Sequence, residues 1–146
     1  MGSESIIYGI IEGATWRSDD FRRLHRLNRQ ILDQALPMTD EWPFLTRGMF
    51  SIPGEECHEG TYRTQVIHFG ASIKDAEEEW DNWVVKFEVL LSRLYWTSAL
   101  VHLHSEVGGS RRYEWVIDPD QIDRFLCDPP LPIAKWTRKG GPSTAA

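Results

Sequence analysis

The segment around residues 80–94 constrains the fold more strongly than any other part of the sequence. Its apolar residues recur at the i, i+3, i+4 and i+7 spacing of one helix face: Trp80, Trp83, Val84, Phe87, Leu90, Leu91 and Leu94. Val85 and Val89 widen this apolar arc beyond the stripe of an ordinary surface helix. Asp75 and Glu78 have the spacing of a capping box. The pattern predicts a central helix that begins at Asp75 and packs on more than one side.

The residues after this helix change from helical to alternating periodicity. They predict strands at 100–104 and 112–117, joined by a two-residue turn at Gly108–Gly109. The other predicted elements are strands at 5–12, 44–52 and 61–73, and helices at 18–36 and 119–126. Because the hairpin makes its two strands antiparallel, this order predicts an α+β fold. We expect a mainly antiparallel sheet of four to five strands, with two main helices packed on it and a short C-terminal helix.

The domain organisation follows from length and from the distribution of proline and glycine. A chain of 146 residues is long enough for one domain with a substantial core. We expect residues 1–128 to form this single domain and residues 129–146 to form a Pro/Gly-rich C-terminal tail. Gly9 interrupts the first predicted strand, which indicates either a bulge or a close approach of a neighbouring segment.

Composition and missing motifs exclude several function classes. The formal net charge of −6 argues against a general nucleic-acid binder, which needs clustered cations. No apolar run approaches the roughly 18 residues of a membrane span. The N-terminus lacks the basic start of a secretory signal, and Cys57 and Cys127 suggest free thiols in the cytoplasm. Because phosphate-loop, Rossmann and zinc-type cysteine motifs are absent from the sequence, no cofactor is expected.

Three histidines form a candidate metal site. With the two-glycine turn, His102 and His104 lie on one face of the sheet, and His104 is opposite Tyr113. His68, on a neighbouring strand, would complete a set of three imidazoles that suits zinc. Together with Glu106, these residues define an alternative function, a small hydrolase or metal-dependent enzyme. The same pattern also fits histidines that are hydrogen-bonded in a half-buried sheet, and both interpretations remain open.

The middle of the chain is strongly acidic. Residues 36–90 carry eleven acidic and four basic side chains, whereas residues 16–35 have a net charge of +2. An acidic, aromatic and proline-stiffened loop at 40–43 is typical of an interface. The candidate partner-binding residues of this region are Asp40, Glu41, Trp42, Glu55, Glu56, Glu59, Glu77, Glu78 and Asp81. Ordinary solvation and compensation of a helix dipole remain the alternative explanation for these charges.

Several short segments carry a resemblance to a known class of protein. They are Glu41-Trp42-Pro43-Phe44-Leu45, Arg47-Gly48-Met49-Phe50-Ser51, Ile67-His68-Phe69-Gly70, Trp80-x-x-Trp83, Lys86-Phe87-Glu88 and Leu94-Tyr95-Trp96. Through these segments, residues 41–104 resemble the small bacterial immunity proteins of polymorphic toxin systems. The resemblance implies a cytoplasmic, non-enzymatic protein that binds and neutralises a cognate toxin.

The acidic charge is compatible with such a partner. A toxin that acts on nucleic acid or nucleotides has a basic active site, and an acidic surface would be steered to that site and cover it. We therefore expect a toxin protein as the partner, either a basic nuclease or a nucleotide-using domain. No membrane and no nucleic acid is expected to bind, and the oligomeric state stays open.

Overall fold

The computed structural model of the chain describes residues 4–13, 19–41, 43–52, 66–75, 79–106, 108–125 and 127–142. In chain order the elements are β1 (Glu4–Glu12), α1 (Asp19–Ala35), a 3-10 turn (Arg47–Met49), β2 (Phe50–Ser51), β3 (Val66–Lys74), α2 (Trp80–Leu91), β4 (Ser98–Ser105), β5 (Gly109–Ile117), a second 3-10 turn (Pro119–Gln121), α3 (Ile122–Phe125) and β6 (Trp136–Pro142). Among the helices in these residues, none is long and apolar enough to cross a membrane.

All the strands in the described residues belong to one antiparallel sheet in the order β2-β3-β1-β4-β5-β6, which confirms the predicted α+β fold. The sheet has six strands because Trp136–Pro142, predicted to lie in a tail, pairs along β5. β6 is an edge strand and pairs on one side only. It can therefore contain Gly140, Gly141 and Pro142, which would weaken a central strand. The prediction of a tail from residue 129 is therefore wrong for these residues, and residues 143–146 lie outside the described part.

Aromatic side chains join α2 to one face of the sheet, which we call the inner face. Trp83 and Phe87 are fully buried, and their rings stack with centroids 5.2 Å apart. The Phe87 ring also lies 5.0 Å from Trp115 of β5 and 5.3 Å from Phe69 of β3. Burying each of these side chains contributes about 1.5–3 kcal/mol, so this cluster is the main link between helix and sheet.

The predicted helix is correct in position but differs in two respects. α2 begins at Trp80, whereas Asp75 lies in a turn directly after β3 with φ 53°; Glu78 lies outside the described residues. Val85 and Val89 are 58% and 52% exposed, so α2 does not pack on the broad arc that their apolar character suggested.

Two polar side chains fasten the helices to the rest of the fold. The amide of Asn28 on α1 donates to the Tyr95 carbonyl and accepts from the Tyr95 N–H, both at 2.8 Å. The carboxylate of Glu88 on α2 accepts hydrogen bonds from the indoles of Trp115 at 2.9 Å and Trp136 at 3.2 Å, and from Arg138 at 3.3 Å. Glu88 thereby connects α2 to both β5 and β6.

The hairpin of β4 and β5 has a different register from the predicted one. Ser105 pairs with Gly109, and His104 pairs with Ser110 instead of Tyr113. Since the register differs by three residues, an odd number, β5 presents its opposite set of side chains: Trp115 is buried on the inner face, away from the histidines. Gly109 has φ 73°, a conformation that favours glycine.

Candidate partner-binding site

The structure describes three of the nine predicted partner-binding residues. Asp40 and Glu41 lie in the connection between α1 and β2, and Asp81 lies exposed in the first turn of α2. The remaining six are outside the described residues: Trp42, Glu55, Glu56, Glu59, Glu77 and Glu78. The described part of the candidate site consists of the α1–β2 connection and the solvent-exposed side of α2.

Asp40 is engaged within the protein. Its Oδ2 accepts a hydrogen bond from the Leu45 N–H at 3.0 Å and forms an ion pair with Lys86 Nζ at 2.8 Å. Partial burial by itself would raise the pKa of Asp40, but the hydrogen bonds from Lys86 and Leu45 outweigh it and hold the pKa below its usual value. Asp40 thus braces the connection, and its charge is compensated by Lys86.

Lys86 ties α2 to this connection at three points. Besides Asp40, its ammonium group donates to the carbonyl oxygens of Glu41 at 3.0 Å and Pro43 at 2.9 Å. These three acceptors match the three donors of a lysine. One turn earlier, the Trp83 indole donates to the Phe44 carbonyl at 3.1 Å. The connection is therefore held in one shape, which lowers the entropy lost when a partner binds to it.

A groove of about 280 Å³ runs between α2 and the end of α1. Val85 and Val89 line its α2 side, and Leu36 and Pro37 lie on its other side. Arg93, exposed after the C-terminus of α2, also lines it. We call this groove with its two valines the α2 groove.

Further apolar side chains are exposed on the same connection. Met38 is 81% exposed and Phe44 is 41% exposed. Exposed apolar residues bordered by polar ones are characteristic of binding surfaces. The apolar character of Val85 and Val89 predicts core positions, so their exposure is not evident from the sequence; their i, i+4 spacing beside the main apolar stripe was the available signal.

The charges around the α2 groove have both signs. Glu41 and Asp81 are exposed, and Arg93 supplies a cation. Since Asp40 is paired with Lys86, the described part of the surface is less acidic than the sequence count suggests.

The three predicted histidines lie on the sheet, but they do not form one cluster. His68 is on β3, His102 and His104 are on β4, and β1 lies between these strands. The described residues contain no group of three His, Cys, Asp or Glu side chains arranged to hold a metal ion. Glu106 instead accepts a hydrogen bond from the Glu4 N–H at 3.1 Å.

His102 and His104 belong to a stack of rings with Tyr8 of β1. The Tyr8 ring lies 4.8 Å from His102 and 5.5 Å from His104, and all three rings are nearly parallel. The Tyr8 hydroxyl is hydrogen-bonded to His104 Nε2 at 3.0 Å, and His104 Nδ1 to the Ser110 hydroxyl at 2.6 Å. Desolvation, the Arg112 cation and His104 together lower the pKa of His102.

Protein-family models, curated proteins and solved structures were compared with this chain, and none matches it. Two features stand out in the described residues: the α2 groove with its braced connection, and the ring stack on the opposite face of the sheet.

Proposed function

We propose that this protein is a bacterial immunity protein, which acts in the cytoplasm by binding a cognate toxin and covering the active site of that toxin. The observation that supports this proposal best is the exposure of Val85 and Val89 on α2, beside a groove and a braced connection. An inhibitor of this kind needs a rigid, complementary surface and no catalytic group. The proposed role is therefore non-enzymatic and without a cofactor.

The apolar side chains would supply most of the binding free energy. Val85 and Val89 would pack against apolar side chains of the toxin, because desolvated apolar contacts at the centre of an interface dominate its energetics. A groove of about 280 Å³ is at the lower limit of small-molecule sites, and its size suits side chains of a partner protein.

The exposed carboxylates would act chiefly on the association rate. Glu41 and Asp81 would attract a toxin with a basic active site, such as a nuclease or a nucleotide-using domain. Charge reversal at Asp40 would break its contacts with Lys86 and Leu45, so it would test folding of the connection together with binding. Glu41→Lys is the cleaner variant, because only the carbonyl of Glu41 bonds to Lys86. It should slow association and reduce the dependence of the rate on salt.

The function can be tested by protection of cells. The C-terminal domain of a large secreted protein encoded beside this gene would be expressed in a bacterial host, with and without this protein. We expect growth to stop with the toxin domain alone and to be restored by co-expression. No protection against a toxic neighbouring domain, combined with no binding in solution, would contradict the proposal.

A pair of matched variants tests the surface. Val85→Lys places a charge at the α2 groove, and we expect it to weaken binding by about tenfold or more and to reduce protection. Ile6→Lys places the same charge at a residue of β1 that is 43% exposed on the far side of the sheet, and it should leave protection unchanged. If the two variants affected protection equally, the α2 groove would not be the binding surface, but the proposed immunity function would still stand.

One observation favours an enzymatic alternative. The Ser110 hydroxyl lies 2.6 Å from His104 Nδ1, the distance of a serine that a histidine can activate. A small hydrolase using this pair would react with a serine-directed phosphonate probe, and replacing His102 and His104 together would abolish the reaction without lowering the melting temperature. Absence of labelling would contradict the hydrolase alternative, and the ring stack would then have only a structural role.

A further inference from the structure

The sheet face opposite α2 exposes apolar and aromatic side chains in its centre. We call this surface the open face. Ile6 and Tyr8 on β1 are 43% and 41% exposed, and Val116 on β5 is 43% exposed. The backbone register places Ile10 and Leu100 beside them on the same face, both partly exposed. Such an apolar centre is unusual for the solvent-exposed face of an antiparallel sheet, which normally carries polar side chains.

The open face is large enough for a specific interface. Its four long strands, β3, β1, β4 and β5, have eight or nine residues each. With strand spacings of 4.8 Å and a rise of 3.4 Å per residue, they cover roughly 27 by 19 Å, or about 500 Å² per copy. Two such faces bury about 1,000 Å² in total, the size at which specific interfaces begin.

The charges on the open face balance one another. The register places three acidic and three basic residues on it: Glu4, Glu12, Glu114, Lys74, Arg112 and Lys139. A face with equal numbers of both signs does not favour a strongly charged partner. A second copy of the same face, which is equally balanced, can approach it without net repulsion.

We propose that two copies of this chain associate through their open faces, with β1 of one copy over β4 of the other. A twofold axis parallel to the strands, between β1 and β4, produces this arrangement and the aligned packing of a β-sandwich. Residues in the same row of the sheet then face each other across the axis. Ile10 lies over Leu100 of the second copy, and His68 lies over its Glu114.

This pairing is self-complementary at both its centre and its margin. Ile10 and Leu100 bury each other's apolar surface, and their exchange by symmetry gives two such contacts. His68 and Glu114 can form a hydrogen bond, in which a ring N–H of the histidine donates to the carboxylate. At the end of the same strands, Val66 lies over Val116 of the second copy.

Sedimentation velocity of the full chain over a dilution series tests the association. We expect a dimer that dissociates on dilution, and a monomer throughout for Ile6→Lys, because that substitution charges the centre of the open face. Val85→Lys, the matched charge in the α2 groove, should remain dimeric. A monomeric wild type, or an Ile6→Lys variant as dimeric as the wild type, would overturn the proposal.

A chemical cross-link tests the arrangement itself. Within one chain, residues 68 and 114 are separated by three strand spacings, about 14 Å. Across the proposed interface the two sheets lie about 10 Å apart and the two side chains point toward each other, which is too far for a disulfide but within reach of a short bismaleimide. With Cys57 and Cys127 replaced by serine, the double variant His68→Cys/Glu114→Cys should therefore be linked by this reagent between two chains. We expect a covalent dimer on a denaturing gel for the double variant and none for either single variant. A dimer in solution without this cross-link would contradict the proposed pairing.

This inference does not depend on the proposed immunity function. Val85→Lys is expected to lose toxin binding and to keep the dimer, whereas Ile6→Lys is expected to lose the dimer and to keep toxin binding. The two proposals can thus fail separately.

Discussion

At the scale of single residues, Glu88 has the most consequential contacts. Its carboxylate accepts from two indole N–H groups and from Arg138, and Trp115 is fully buried. We expect Glu88→Ala to lower the free energy of unfolding by about 2–4 kcal/mol, because the buried indole of Trp115 and the partly buried indole of Trp136 lose a charged acceptor. Glu88→Gln should cost less, since one acceptor oxygen remains. Urea denaturation measures both, with the exposed Glu41→Ala as a control that should change little.

Gly9 of β1 has a role that the sequence left open between a bulge and a close approach. The pairing of β1 with β3 and β4 runs through Gly9 without interruption, so there is no bulge. A Cβ at this position would overlap the Leu100 carbonyl and approach the Phe69 ring to 2.7 Å. The close approach is the correct alternative.

Gly9→Ala should therefore destabilise the protein by about 1–3 kcal/mol, because a packed sheet cannot move to accept the methyl group. Gly48→Ala is the matched control: a Cβ there meets no atom within 4 Å, and its stability should change by less than about 0.5 kcal/mol. Thermal unfolding of both variants provides the comparison. Similar melting temperatures would contradict the steric argument.

At the scale of elements, Lys86 couples α2 to the α1–β2 connection. Lys86→Met keeps the apolar stem and removes the ammonium group, so three hydrogen bonds to the connection are lost. We expect faster hydrogen exchange at the Leu45 amide, whose acceptor is Asp40, with helix α2 still protected. Arg93→Met, which removes an exposed cation beside the same groove, should leave that exchange rate unchanged.

Acid should have a related effect on this connection. Because the folded-state pKa of Asp40 lies below its ordinary value of 3.8, its contribution to stability is present above that value. It is lost as the pH falls from 3.8 through the lower folded-state pKa. Lys86→Met should show less of this acid dependence, because only the backbone hydrogen bonds to Asp40 then lower its pKa. An identical acid profile in the two proteins would contradict the role of the ion pair.

At the scale of the whole molecule, His102 makes stability depend on pH. Its folded-state pKa lies below the ordinary 6.5, so the unfolded chain binds a proton that the folded protein resists. Stability should be independent of this group above pH 6.5 and should fall as the pH decreases below 6.5, until the folded histidine is protonated as well. His102→Phe retains a ring beside Tyr8 and removes the titration. Denaturation midpoints at a series of pH values should fall more steeply for the wild type than for His102→Phe.

Only part of the candidate site could be predicted from the sequence. The connection at 40–43 was recognised by its acidic, aromatic and proline residues, but the partner of Asp40 was not, because Lys86 lies 46 residues away. The apolar character of Val85 and Val89 predicts core positions, because composition does not tell which side of a helix is covered. The sequence predicts His68 near His102, because periodicity does not reveal that β1 lies between their strands.

Local patterns by themselves determined the type of the main elements and the α+β class. The spacing of apolar residues in α2 and the alternation of apolar and polar residues in β4 and β5 are local patterns. They reflect the 3.6-residue period of a helix and the 2-residue period of a strand. Tertiary structure alone decided the strand order, the hairpin register, the recruitment of Trp136–Pro142 as a sixth strand and the exposure of the open face. These features depend on contacts between residues that are distant in the chain. Such contacts produce no periodic pattern in the sequence from which they could be predicted.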